Sequence, residues 1–400
     1  MSKIVLGVAG GIAAFKAAEL LRLFTEAGHE VRVVPTEASL QFVGAATWEA
    51  LSGQPVHTGV FADVPQVPHV RLGQEADLVV VAPATADLLA RAAHGLAGDL
   101  LTSTLLTARC PVVLAPAMHT EMWEHPATQA NVETLRSRGT VVIEPAVGRL
   151  TGADSGKGRL PDPTAIHAVC LQVLDGRPQD LTGRHVVVSA GGTREYLDPV
   201  RFLGNRSSGR MGQALAEAAV ARGARVTLVA ANVSLPAPAG ADVVRVVTTE
   251  ELRTAMHEHA VDADAVVMAA APADFRPASR AGAKIKKVPG QGPAPIELVE
   301  NPDVLAELVA GRTGKRPVIV GFAAETGDEN ASVMEHAAAK LARKGCDLLV
   351  VNDVSGDKVF GHDDTEAVVL GADGTQVPVP HGPKAGLAHA VWDAVAHRME

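Results

Sequence analysis

Aromatic residues are scarce in this chain of 400 residues: 8 Phe, 3 Trp and 1 Tyr make up 3%, whereas hydrophobic residues as a whole make up 47%. Its cores must therefore be built from Ala, Val and Leu, as is typical of buried parallel strands covered by helices. So high an apolar fraction excludes an intrinsically disordered chain. Long apolar runs are also missing. None approaches the ~18 uninterrupted residues of a membrane helix, so we expect no membrane partner.

Cysteine is rare as well, and its spacing excludes a common kind of metal site. Cys110, Cys170 and Cys346 are odd in number and lack C-x-x-C spacing, which argues against a metal cage and for a reducing compartment. Met1 is followed at once by a strand-like segment, without the pattern of a signal peptide. The sequence therefore predicts a cytoplasmic protein.

Basic residues are in deficit. There are 36 Lys and Arg against 45 Asp and Glu, which gives a formal net charge of −9. Because no overall field favours a polyanion, we expect no nucleic-acid partner. A small phosphate-bearing ligand would instead have to meet locally clustered basic side chains.

Short runs of Val, Leu and Ala alternate with amphipathic helical stretches along the whole chain. This alternation predicts doubly wound α/β sheets with parallel strands. A length of 400 residues suits two domains, and the polar stretch 175–180, which contains a Gly and a Pro, marks a boundary. We therefore expect α/β domains at residues 1–180 and 181–400. The predicted strands span residues 4–8, 31–34, 78–82, 112–115, 141–143, 186–190, 226–230, 243–247, 265–270, 318–322, 348–351 and 367–370, and the predicted helices span residues 12–27, 86–93, 126–138, 209–222, 250–259, 302–310 and 332–344.

Two adjacent glycines, Gly10 and Gly11, lie between the first predicted strand and the first predicted helix. In doubly wound sheets, ligands bind in the loops that follow the carboxyl ends of the strands. Glycines there let the backbone approach a phosphate, and the helix N-terminus near Ile12 supplies N–H donors. The hydroxyl of Thr36, after the second strand, could join the same anion site. A tight turn without a ligand is the alternative, and the G-x-G-x-x-G fingerprint of dinucleotide-binding proteins is missing.

Small residues follow two later strands at the same expected edge of the sheet, where they would leave a flat apolar slot for a planar ring. These residues are Pro83, Ala84, Thr85, Ala117 and Met118. His69 is predicted to lie in a loop before a helical turn. An imidazole titrates near neutral pH and can act as an acid or a base, although a surface histidine without a role is the simpler interpretation from spacing alone.

Five blocks in this order resemble the FMN-dependent cysteine decarboxylases, and among them the decarboxylase half of the bifunctional phosphopantothenoylcysteine decarboxylase/phosphopantothenate–cysteine ligase family. The blocks are Gly10-Gly11-Ile12-Ala13-Ala14-Phe15-Lys16, Pro68-His69, Ala82-Pro83-Ala84-Thr85-Ala86-Asp87-Leu88, Pro116-Ala117-Met118 and Gly158-Arg159-Leu160-Pro161-Asp162. The resemblance implies a flavodoxin-like domain whose strand-end residues, named above, bind FMN. It also implies that the substrate's cysteinyl thiol is oxidised to a thioaldehyde, which lets the adjacent carboxylate leave, and that His69 assists this oxidation.

The chain departs from the family pattern at two positions. His119 stands where the family has an Asn that orients the substrate carboxylate, and an imidazole can still donate a hydrogen bond there. Thr151 lies in a flap that is one residue longer than in the family and lacks the cysteine that serves as proton donor. The same double change resembles the actinobacterial members. Since Thr151 is a weak acid, solvent, Asp154 and His119 are alternative proton donors.

The second half carries its own anion-binding pattern. A Gly-rich turn and four arginines surround a predicted helix start. The arginines are Arg194, Arg201, Arg206 and Arg210. Asp274 ends a later predicted strand, and three of the four residues 284–287 are lysines. A carboxylate with nearby lysines suits Mg²⁺ bound to a triphosphate, whereas solvated basic surfaces are the alternative for both clusters.

Residues 184–353 resemble, almost continuously, the phosphopantothenate–cysteine ligase half of the same family, with Arg206 in place of a family His. The resemblance implies that CTP activates the carboxylate of 4′-phosphopantothenate as an acyl-cytidylate, and that the amine of cysteine then displaces CMP. Asn205 would hold the acyl-cytidylate, Lys284 would stabilise charge during its formation or breakdown, and Asp274 would bind Mg²⁺ or Mn²⁺. The residues implied in CTP binding are Ala269, Ala270, Asp274, Lys284, Pro302, Asp303, Val304, Leu305, Phe322, Lys340 and Lys344.

The sequence as a whole thus predicts a bifunctional enzyme of coenzyme A synthesis. A regulatory binding protein is the alternative from another class, since some relatives of the flavoprotein half inhibit phosphatases, but those carry acidic extensions that this chain lacks. An NAD-dependent oxidoreductase lacks support without the glycine fingerprint. By resemblance, the decarboxylase half forms trimers and the ligase half forms dimers, and the two contacts together predict a closed homododecamer.

Overall fold

The computed structural model describes residues 1–56, 59, 68–150, 155–238, 240–286, 295–325, 333–353 and 364–400. Thr151, Asp154 and Lys287, which enter the interpretations above, lie outside the described residues. The chain divides into two compact units, Met1–Gln179 and Asp180–Glu400. Within the described ranges, no helix is both long and apolar enough to cross a membrane.

Five parallel strands form the sheet of the first unit. They are β1 (Lys3–Val8), β2 (Glu30–Pro35), β3 (Leu78–Ala84), β4 (Val112–Pro116) and β5 (Val141–Val142). Their order across the sheet is β2-β1-β3-β4-β5, the flavodoxin-like order of a doubly wound sheet. Every residue of β3 is buried, because helices cover both faces, and this explains its nearly unbroken run of Val and Ala. A separate antiparallel hairpin, β6 (Ala146–Arg149) and β7 (Ser155–Arg159), follows the sheet.

Eight helices belong to the described part of the first unit. They are α1 (Lys16–Glu26), α2 (Ala45–Ser52), α3 (Pro68–Glu75), α4 (Ala86–His94), α5 (Leu100–Thr107), α6 (Thr120–Trp123), α7 (Pro126–Ser137) and α8 (Pro163–Leu174), with short 3₁₀ helices at Ile12–Phe15 and Ser39–Gln41. Local sequence fixes where several of them begin. At the start of α5, for example, the side chain of Asp99 accepts a hydrogen bond from the Thr102 amide. The Thr102 hydroxyl oxygen in turn accepts one from the Asp99 amide.

The second unit contains a larger sheet and two small pairs of strands. Its strands are β8 (His185–Gly191), β9 (Arg194–Tyr196), β10 (Phe202–Gly204), β11 (Arg225–Ala231), β12 (Ala241–Val246), β13 (Ala265–Met268), β14 (Phe275–Pro277), β15 (Leu298–Glu300), β16 (Val318–Glu325), β17 (Leu348–Asp353), β18 (Asp364–Gly371) and β19 (Gln376–Pro383). The main sheet has the order β12-β11-β8-β13-β16-β17-β18-β19, in which β18 pairs antiparallel with both of its neighbours, β17 and β19. Its parallel part has the Rossmann order, with the switch point between β8 and β13. The strands β9 and β10 pair with each other, as do β14 and β15.

In the described part of this unit, the helices are α9 (Arg210–Ala221), α10 (Thr249–Ala260), α11 (Val304–Gly311), α12 (Val333–Lys344) and α13 (Lys384–Met399). The core is rich in Val, Leu and Ala, and its large aromatic member, Trp392 on α13, is fully buried. The indole N–H of Trp392 donates to the carbonyl oxygen of Leu215 on α9 at 2.8 Å, so the buried polar atom has its partner.

The predicted fold class is confirmed, and each predicted strand and helix is found with ends shifted by a few residues. One placement was wrong: His69 is the second residue of α3 and does not lie in a loop. The preceding Pro68 is the reason, since proline is favoured in the first turn of a helix, where no N–H partner is needed. The sequence interpretation also missed five helices, which are α2, α5, α6, α8 and the C-terminal α13. Of these, α5 has apolar residues without helical periodicity.

Candidate functional sites

Backbone hydrogen bonds join the three loops at the carboxyl ends of β1, β3 and β4. The amide of Ala9 donates to the carbonyl oxygen of Pro83 at 3.2 Å, and the amide of Ala117 donates to that of Ala84 at 3.1 Å. These contacts place the predicted cofactor-binding blocks side by side at one edge of the sheet. Since ligands of doubly wound sheets bind at this edge, the blocks form one candidate site.

The two glycines after β1 have different roles. A Cβ on Gly10 would lie 2.5 Å from the Cβ of Ala38, so the close packing of two loops requires glycine there. A Cβ on Gly11 would meet nothing within 4 Å, so this stretch of backbone faces open space and is accessible to a ligand. The next apolar side chains, Ile12 and Phe15, are 63% and 60% exposed. The loop therefore presents accessible backbone groups next to an exposed apolar surface, and both could contact a ligand.

The two candidate threonines of this edge also hold local structure. The hydroxyl oxygen of Thr36 accepts a hydrogen bond from the Ser39 amide at 3.3 Å. That of Thr85 accepts from the Leu88 amide at the same distance and caps α4. Both side chains thus fix turns at the strand ends, as N-cap residues do.

His69 lies in the first turn of α3. The other end of α3 is near the start of β1, because Glu75 forms an ion pair with Lys3 at 3.6 Å. The hydroxyl of Thr107 on α5 donates to the His69 carbonyl oxygen at 2.6 Å and fixes the first turn. The ring Nδ1 of His69 is buried and has no hydrogen-bond partner among the described residues. A buried polar atom without a partner marks a candidate binding position.

The hairpin β6–β7 packs against the loop that contains His119. The amide of Met118 donates to the carbonyl oxygen of Gly158 at 2.9 Å. Gly158 has a φ of +153°, and a Cβ there would lie 2.3 Å from the Met118 carbonyl oxygen. A Cβ on Gly156 would lie 2.2 Å from the Thr120 hydroxyl. Glycine is therefore required on β7, and the exposed His119 lies at the base of this hairpin.

An ion-pair network that the sequence interpretation missed holds β7 in place. Glu144 bonds to Lys157 at 2.6 Å and to Arg136 at 2.7 Å. Burial raises the pKa of Glu144, but the hydrogen bonds from Lys157 and Arg136 lower it by a larger amount. The pKa of this carboxyl therefore lies below its usual value. The Lys157 ammonium also lies 5.9 Å from the ring centre of Trp123.

In the second unit, Asn205 contacts the loop that follows β13. Its Nδ2 donates to the carbonyl oxygens of Pro272 at 2.9 Å and Ala271 at 3.3 Å. A Cβ on Gly192 would lie 2.9 Å from the carbonyl oxygen of Asn205, so a glycine lets the two loops approach. The structure thus joins the Gly-rich turn after β8 to the loop after β13, on both sides of the switch point.

Asp274 lies in the same loop with an exposed side chain. Its carbonyl oxygen accepts a hydrogen bond from the Asn301 amide at 2.8 Å, which places Pro302 and its neighbours next to Asp274. Among the described residues, no group of three or more His, Cys, Asp or Glu side chains could hold a metal ion. A cation at Asp274 would therefore need most of its ligands from phosphate oxygens and water, as Mg²⁺ commonly does.

Lys284 is placed by its neighbour Ile285. The Ile285 amide donates to Asp198 Oδ2 at 3.1 Å, and Arg201 Nη2 donates to the Ile285 carbonyl oxygen at 2.8 Å. Asp198 is fully buried, and the hydrogen bond from the Arg201 side chain holds the pKa of its carboxyl far below the usual range. The predicted basic segment is therefore bound to the hairpin formed by β9 and β10.

Asp303 and Lys344, both predicted to contact a nucleotide, form an ion pair with each other. Asp303 also caps α11, since its Oδ1 accepts from the Ala306 amide at 3.1 Å. Burial raises the pKa of Asp303, but the hydrogen bond from Lys344 and that from the amide lower it more. Lys340 lies one turn before Lys344 on α12.

Several predicted contact residues could reach a ligand only through their backbone. The side chains of Ala84 and Val304 are 0% and 2% exposed and belong to the cores. The amide of Ala270 is already bound, since it donates to Ser189 Oγ at 3.0 Å. Phe322 on β16 is half-buried against the core of the second unit.

The sequence interpretation missed Thr249, which opens α10 and bonds to Glu195 from the Gly-rich region. A local signal was present: Thr248 and Glu251 form a capping box that marks the start of this helix. The capping box shows where α10 begins, but it does not show that the Glu195 carboxylate bonds to Thr249.

Two protein-family models match the chain. The model described as Flavoprotein matches residues 1–175, and the model described as DNA/pantothenate metabolism flavoprotein C-terminal domain matches residues 181–399. The coenzyme A biosynthesis bifunctional protein CoaBC of Mycobacterium tuberculosis is 60% identical over 401 residues, covering 98% of this chain and 96% of that protein. The protein of the same name from Vibrio cholerae is 42% identical and covers 99% and 98% of the two chains.

Two solved structures are also similar. The crystal structure of the C-terminal domain of a CoaBC protein has a TM-score of 0.46 and 30% identity, and covers 55% of this chain and 97% of that one. A PPC decarboxylase mutant complexed with pantothenoylaminoethenethiol has a TM-score of 0.41 and 30% identity, and covers 44% and 98%. The C-terminal family model alone matches more than half of the chain, and a relative of nearly equal length is 60% identical. The chain therefore belongs to the family of the coenzyme A biosynthesis bifunctional proteins CoaBC.

Proposed function

We propose that the chain catalyses two successive steps of coenzyme A synthesis. Residues 181–400 ligate cysteine to 4′-phosphopantothenate with CTP, and residues 1–180 decarboxylate the product, 4′-phosphopantothenoylcysteine, to 4′-phosphopantetheine with FMN. The observation that carries the proposal is the 60% identity to CoaBC of M. tuberculosis across 98% of the chain. Each unit supports it with candidate residues in loops that follow the carboxyl ends of parallel strands and are joined by hydrogen bonds.

The residues at the edge of the first sheet fit a flavin. The open backbone at Gly11 suits a phosphate, and the exposed Ile12 and Phe15 offer apolar surface. Bound FMN supplies the two-electron oxidation of the cysteinyl thiol that prepares the neighbouring carboxylate to leave. The proposed FMN-binding residues are Gly10, Gly11, Ile12, Thr36, Pro83, Ala84, Thr85, Ala117 and Met118.

His69 is the proposed acid–base residue of the decarboxylase site. Its Nδ1 is buried and without a partner among the described residues, so it can exchange a proton or a hydrogen bond with bound substrate. The first turn of α3 is fixed by the hydroxyl of Thr107, so the ring is carried by a rigid element.

His119 orients the substrate carboxylate from the base of the hairpin β6–β7. The Met118 amide bonds to Gly158 of that hairpin, so the loop carrying His119 and the hairpin are joined. The final proton comes from Thr151, Asp154, His119 or water, and of these His119 is the one whose position the structure describes.

The ligase site activates a carboxylate. The carboxylate of 4′-phosphopantothenate attacks the α-phosphorus of CTP and pyrophosphate leaves; the amine of cysteine then attacks the acyl carbon and CMP leaves. Asn205 holds the acyl-cytidylate, Lys284 neutralises developing negative charge, and Asp274 binds Mg²⁺ or Mn²⁺ on the triphosphate. The remaining proposed CTP-binding residues are Ala269, Ala270, Pro302, Asp303, Val304, Leu305, Phe322, Lys340 and Lys344.

The proposal includes a location and an assembly. Three free thiols, Cys110, Cys170 and Cys346, suit a reducing cytoplasm. A trimeric decarboxylase half combined with a dimeric ligase half would close into a homododecamer, because three-fold and two-fold contacts in one chain generate a closed point group.

A coupled assay tests the proposal. The purified protein, loaded with FMN and given 4′-phosphopantothenate, cysteine, CTP and Mg²⁺, should release pyrophosphate and CO₂ in equal amounts. Omission of CTP should stop both, whereas added 4′-phosphopantothenoylcysteine should restore CO₂ alone. Pyrophosphate without CO₂ would contradict the decarboxylase assignment, and CO₂ from the added intermediate without pyrophosphate from CTP would contradict the ligase assignment.

A further inference from the structure

Thr249 and Glu195 form a buried pair in the second unit. Thr249 is 0% exposed and Glu195 is 5% exposed. The Thr249 amide donates to Glu195 Oε1 at 2.9 Å, and its hydroxyl donates to the same oxygen at 2.8 Å. The amide is one of those at a helix N-terminus that lack a partner within the helix, so a carboxylate from the distant strand β9 stabilises the start of α10.

The hydrogen bonds around this pair have a single direction. The Thr249 hydroxyl donates to Glu195 Oε1, and a hydroxyl has one proton to donate. Its one proton is then used, so at the 2.9 Å contact with Thr193 the Thr193 hydroxyl is the donor. The Thr193 oxygen accepts in turn from the Ala273 amide at 2.9 Å. A directed chain thus runs from the Ala273 amide through two hydroxyls to the Glu195 carboxylate, and such chains strengthen each bond.

Asn301 attaches a second segment to the same hydroxyl. Its Nδ2 donates to Thr249 Oγ1 at 3.3 Å and to the Ala273 carbonyl oxygen at 2.8 Å. Its own amide donates to the Asp274 carbonyl oxygen at 2.8 Å. The Thr249 oxygen therefore gives one bond and accepts two, which is its full capacity. The residues on either side of the Ala273–Asp274 peptide bond are fixed by this cluster.

We propose that Thr249 is a positioning residue of the ligase reaction: its hydroxyl links the Gly-rich turn, the loop carrying Asp274 and the segment that begins at Asn301. Thr249 touches no reacting atom. It acts by holding the backbone of Asp274 where the exposed carboxylate meets the metal ion and triphosphate. This inference rests on the proposed ligase function.

The side-chain type supports a role for the hydroxyl itself. A valine has nearly the shape of threonine and would fill the same buried space, so the main loss in Thr249→Val is that of the hydroxyl. Replacing it would leave the Thr193 hydroxyl without its acceptor and would remove one of the two bonds to Glu195. The loop carrying Asp274 would then lose its link to α10, which runs through the Thr193 hydroxyl and the Asn301 side chain.

Thr249→Val and Thr249→Ser form the test, with FMN-loaded full-length protein. In Thr249→Val we expect the KM for CTP, and the Mg²⁺ concentration for half-maximal pyrophosphate release, to rise on the order of 10-fold, as for one lost buried hydrogen bond. The KM for cysteine and the release of CO₂ from added 4′-phosphopantothenoylcysteine should stay unchanged. Thr249→Ser keeps the hydroxyl and should remain within about 3-fold of the wild type in every constant.

Thr227→Val is the matched control. Thr227 is 4% exposed, and its hydroxyl lies 3.0 Å from His185 Nε2 near the amino end of β11, so this variant also loses a buried hydrogen bond. It should lower thermal stability without changing the KM for CTP. An unchanged KM for CTP in Thr249→Val would overturn the inference, and so would an equal rise of that KM in Thr227→Val. In either case, pyrophosphate release by the wild type would leave the proposed function intact. A wild type that releases no pyrophosphate would instead refute the ligase function.

Discussion

The buried carboxylate of Asp198 accepts a hydrogen bond from the backbone amide of Ile285, 87 positions further along the chain, at 3.1 Å. Arg201 completes the contact by bonding to both Asp198 and the Ile285 carbonyl oxygen. Ile285 lies between two lysines of the basic segment, so this contact decides where Lys284 is held.

Asp198→Asn should impair ligation and spare decarboxylation. The amide keeps one accepting oxygen but removes the charge that binds Arg201, so the segment around Lys284 loses a charge-assisted tie. We expect kcat/KM for CTP-dependent pyrophosphate release to fall on the order of 10-fold, since misplacing a catalytic group is costly. Steady-state kinetics of both half-reactions measure this, and a normal ligase rate would show that Lys284 is positioned by other contacts.

Acid should remove the contribution of Asp198 to stability. The pKa of this carboxyl lies well below its ordinary value of 3.8, chiefly because of the hydrogen bond from Arg201. Since the pKa is lower in the folded state, ionised Asp198 stabilises the fold fully above about pH 4, and this contribution is lost as the pH falls further. The gap in urea midpoint between wild type and Asp198→Asn should be constant from about pH 7 to 5 and shrink below about pH 4. A gap that persists undiminished near pH 3 would contradict this account.

His69→Asn should separate the two activities in the opposite way. Asparagine retains a polar side chain but cannot take up a proton, so we expect CO₂ release to fall by about 10² to 10⁴-fold, the usual contribution of acid–base catalysis. Pyrophosphate release should be unchanged. Lys284→Gln is the matched variant, with pyrophosphate release lost and CO₂ release retained. Retained decarboxylation in His69→Asn would remove this histidine from the mechanism.

Gly11→Ala should weaken FMN binding without destabilising the fold. The φ of Gly11 is −173°, which alanine adopts readily, and the added Cβ meets nothing within 4 Å. The methyl group would instead occupy the open space in front of the backbone. We expect less flavin absorbance in the purified protein and an unchanged midpoint of the apoprotein in urea. Gly386→Ala, which also has open space but lies on α13, should retain full flavin content.

Arg222→Met should destabilise the second unit. Arg222 is 1% exposed and pairs with Asp180 and Asp393, and it also donates to the His389 carbonyl oxygen at 3.3 Å. Because the Asp180 and Asp393 side chains are 30% and 59% exposed, water partly compensates the lost partner, and we expect a cost of about 2 kcal/mol. Arg225→Met, which breaks an exposed pair with Asp262, should cost less than about 1 kcal/mol. Equal losses of unfolding free energy in the two variants, measured by urea titration, would refute the difference between buried and exposed pairs.

The sequence was informative about the fold because its signals are local. Runs of Val, Leu and Ala predict buried parallel strands wherever they occur, and β3 and β8 are buried throughout. The sequence pattern did not predict where α3 begins and did not predict α5. His69 was expected in a loop, although Pro68 before it is well suited to the first turn of a helix.

Pairings between distant side chains could not be predicted in the same way. Asp303 and Lys344 each carried a proposed contact with CTP, and the structure shows them bonded to one another. Such a pair is decided by how α11 and α12 pack on the sheet, and no spacing within either segment encodes it. The Arg136–Glu144–Lys157 network, which holds β7, was missed for the same reason.

What the sequence determined by itself is two α/β units, with glycines and small residues at the ends of their strands. What the tertiary structure decided is which polar groups meet at those ends: Glu195 with Thr249, Thr193 with Ala273, and Asp198 with Ile285. The physical reason is that parallel strands bring their carboxyl ends to one edge of the sheet, while the helices between them separate those ends by dozens of residues along the chain. A hydrogen bond across that edge depends on the packed sheet and is absent from any local pattern.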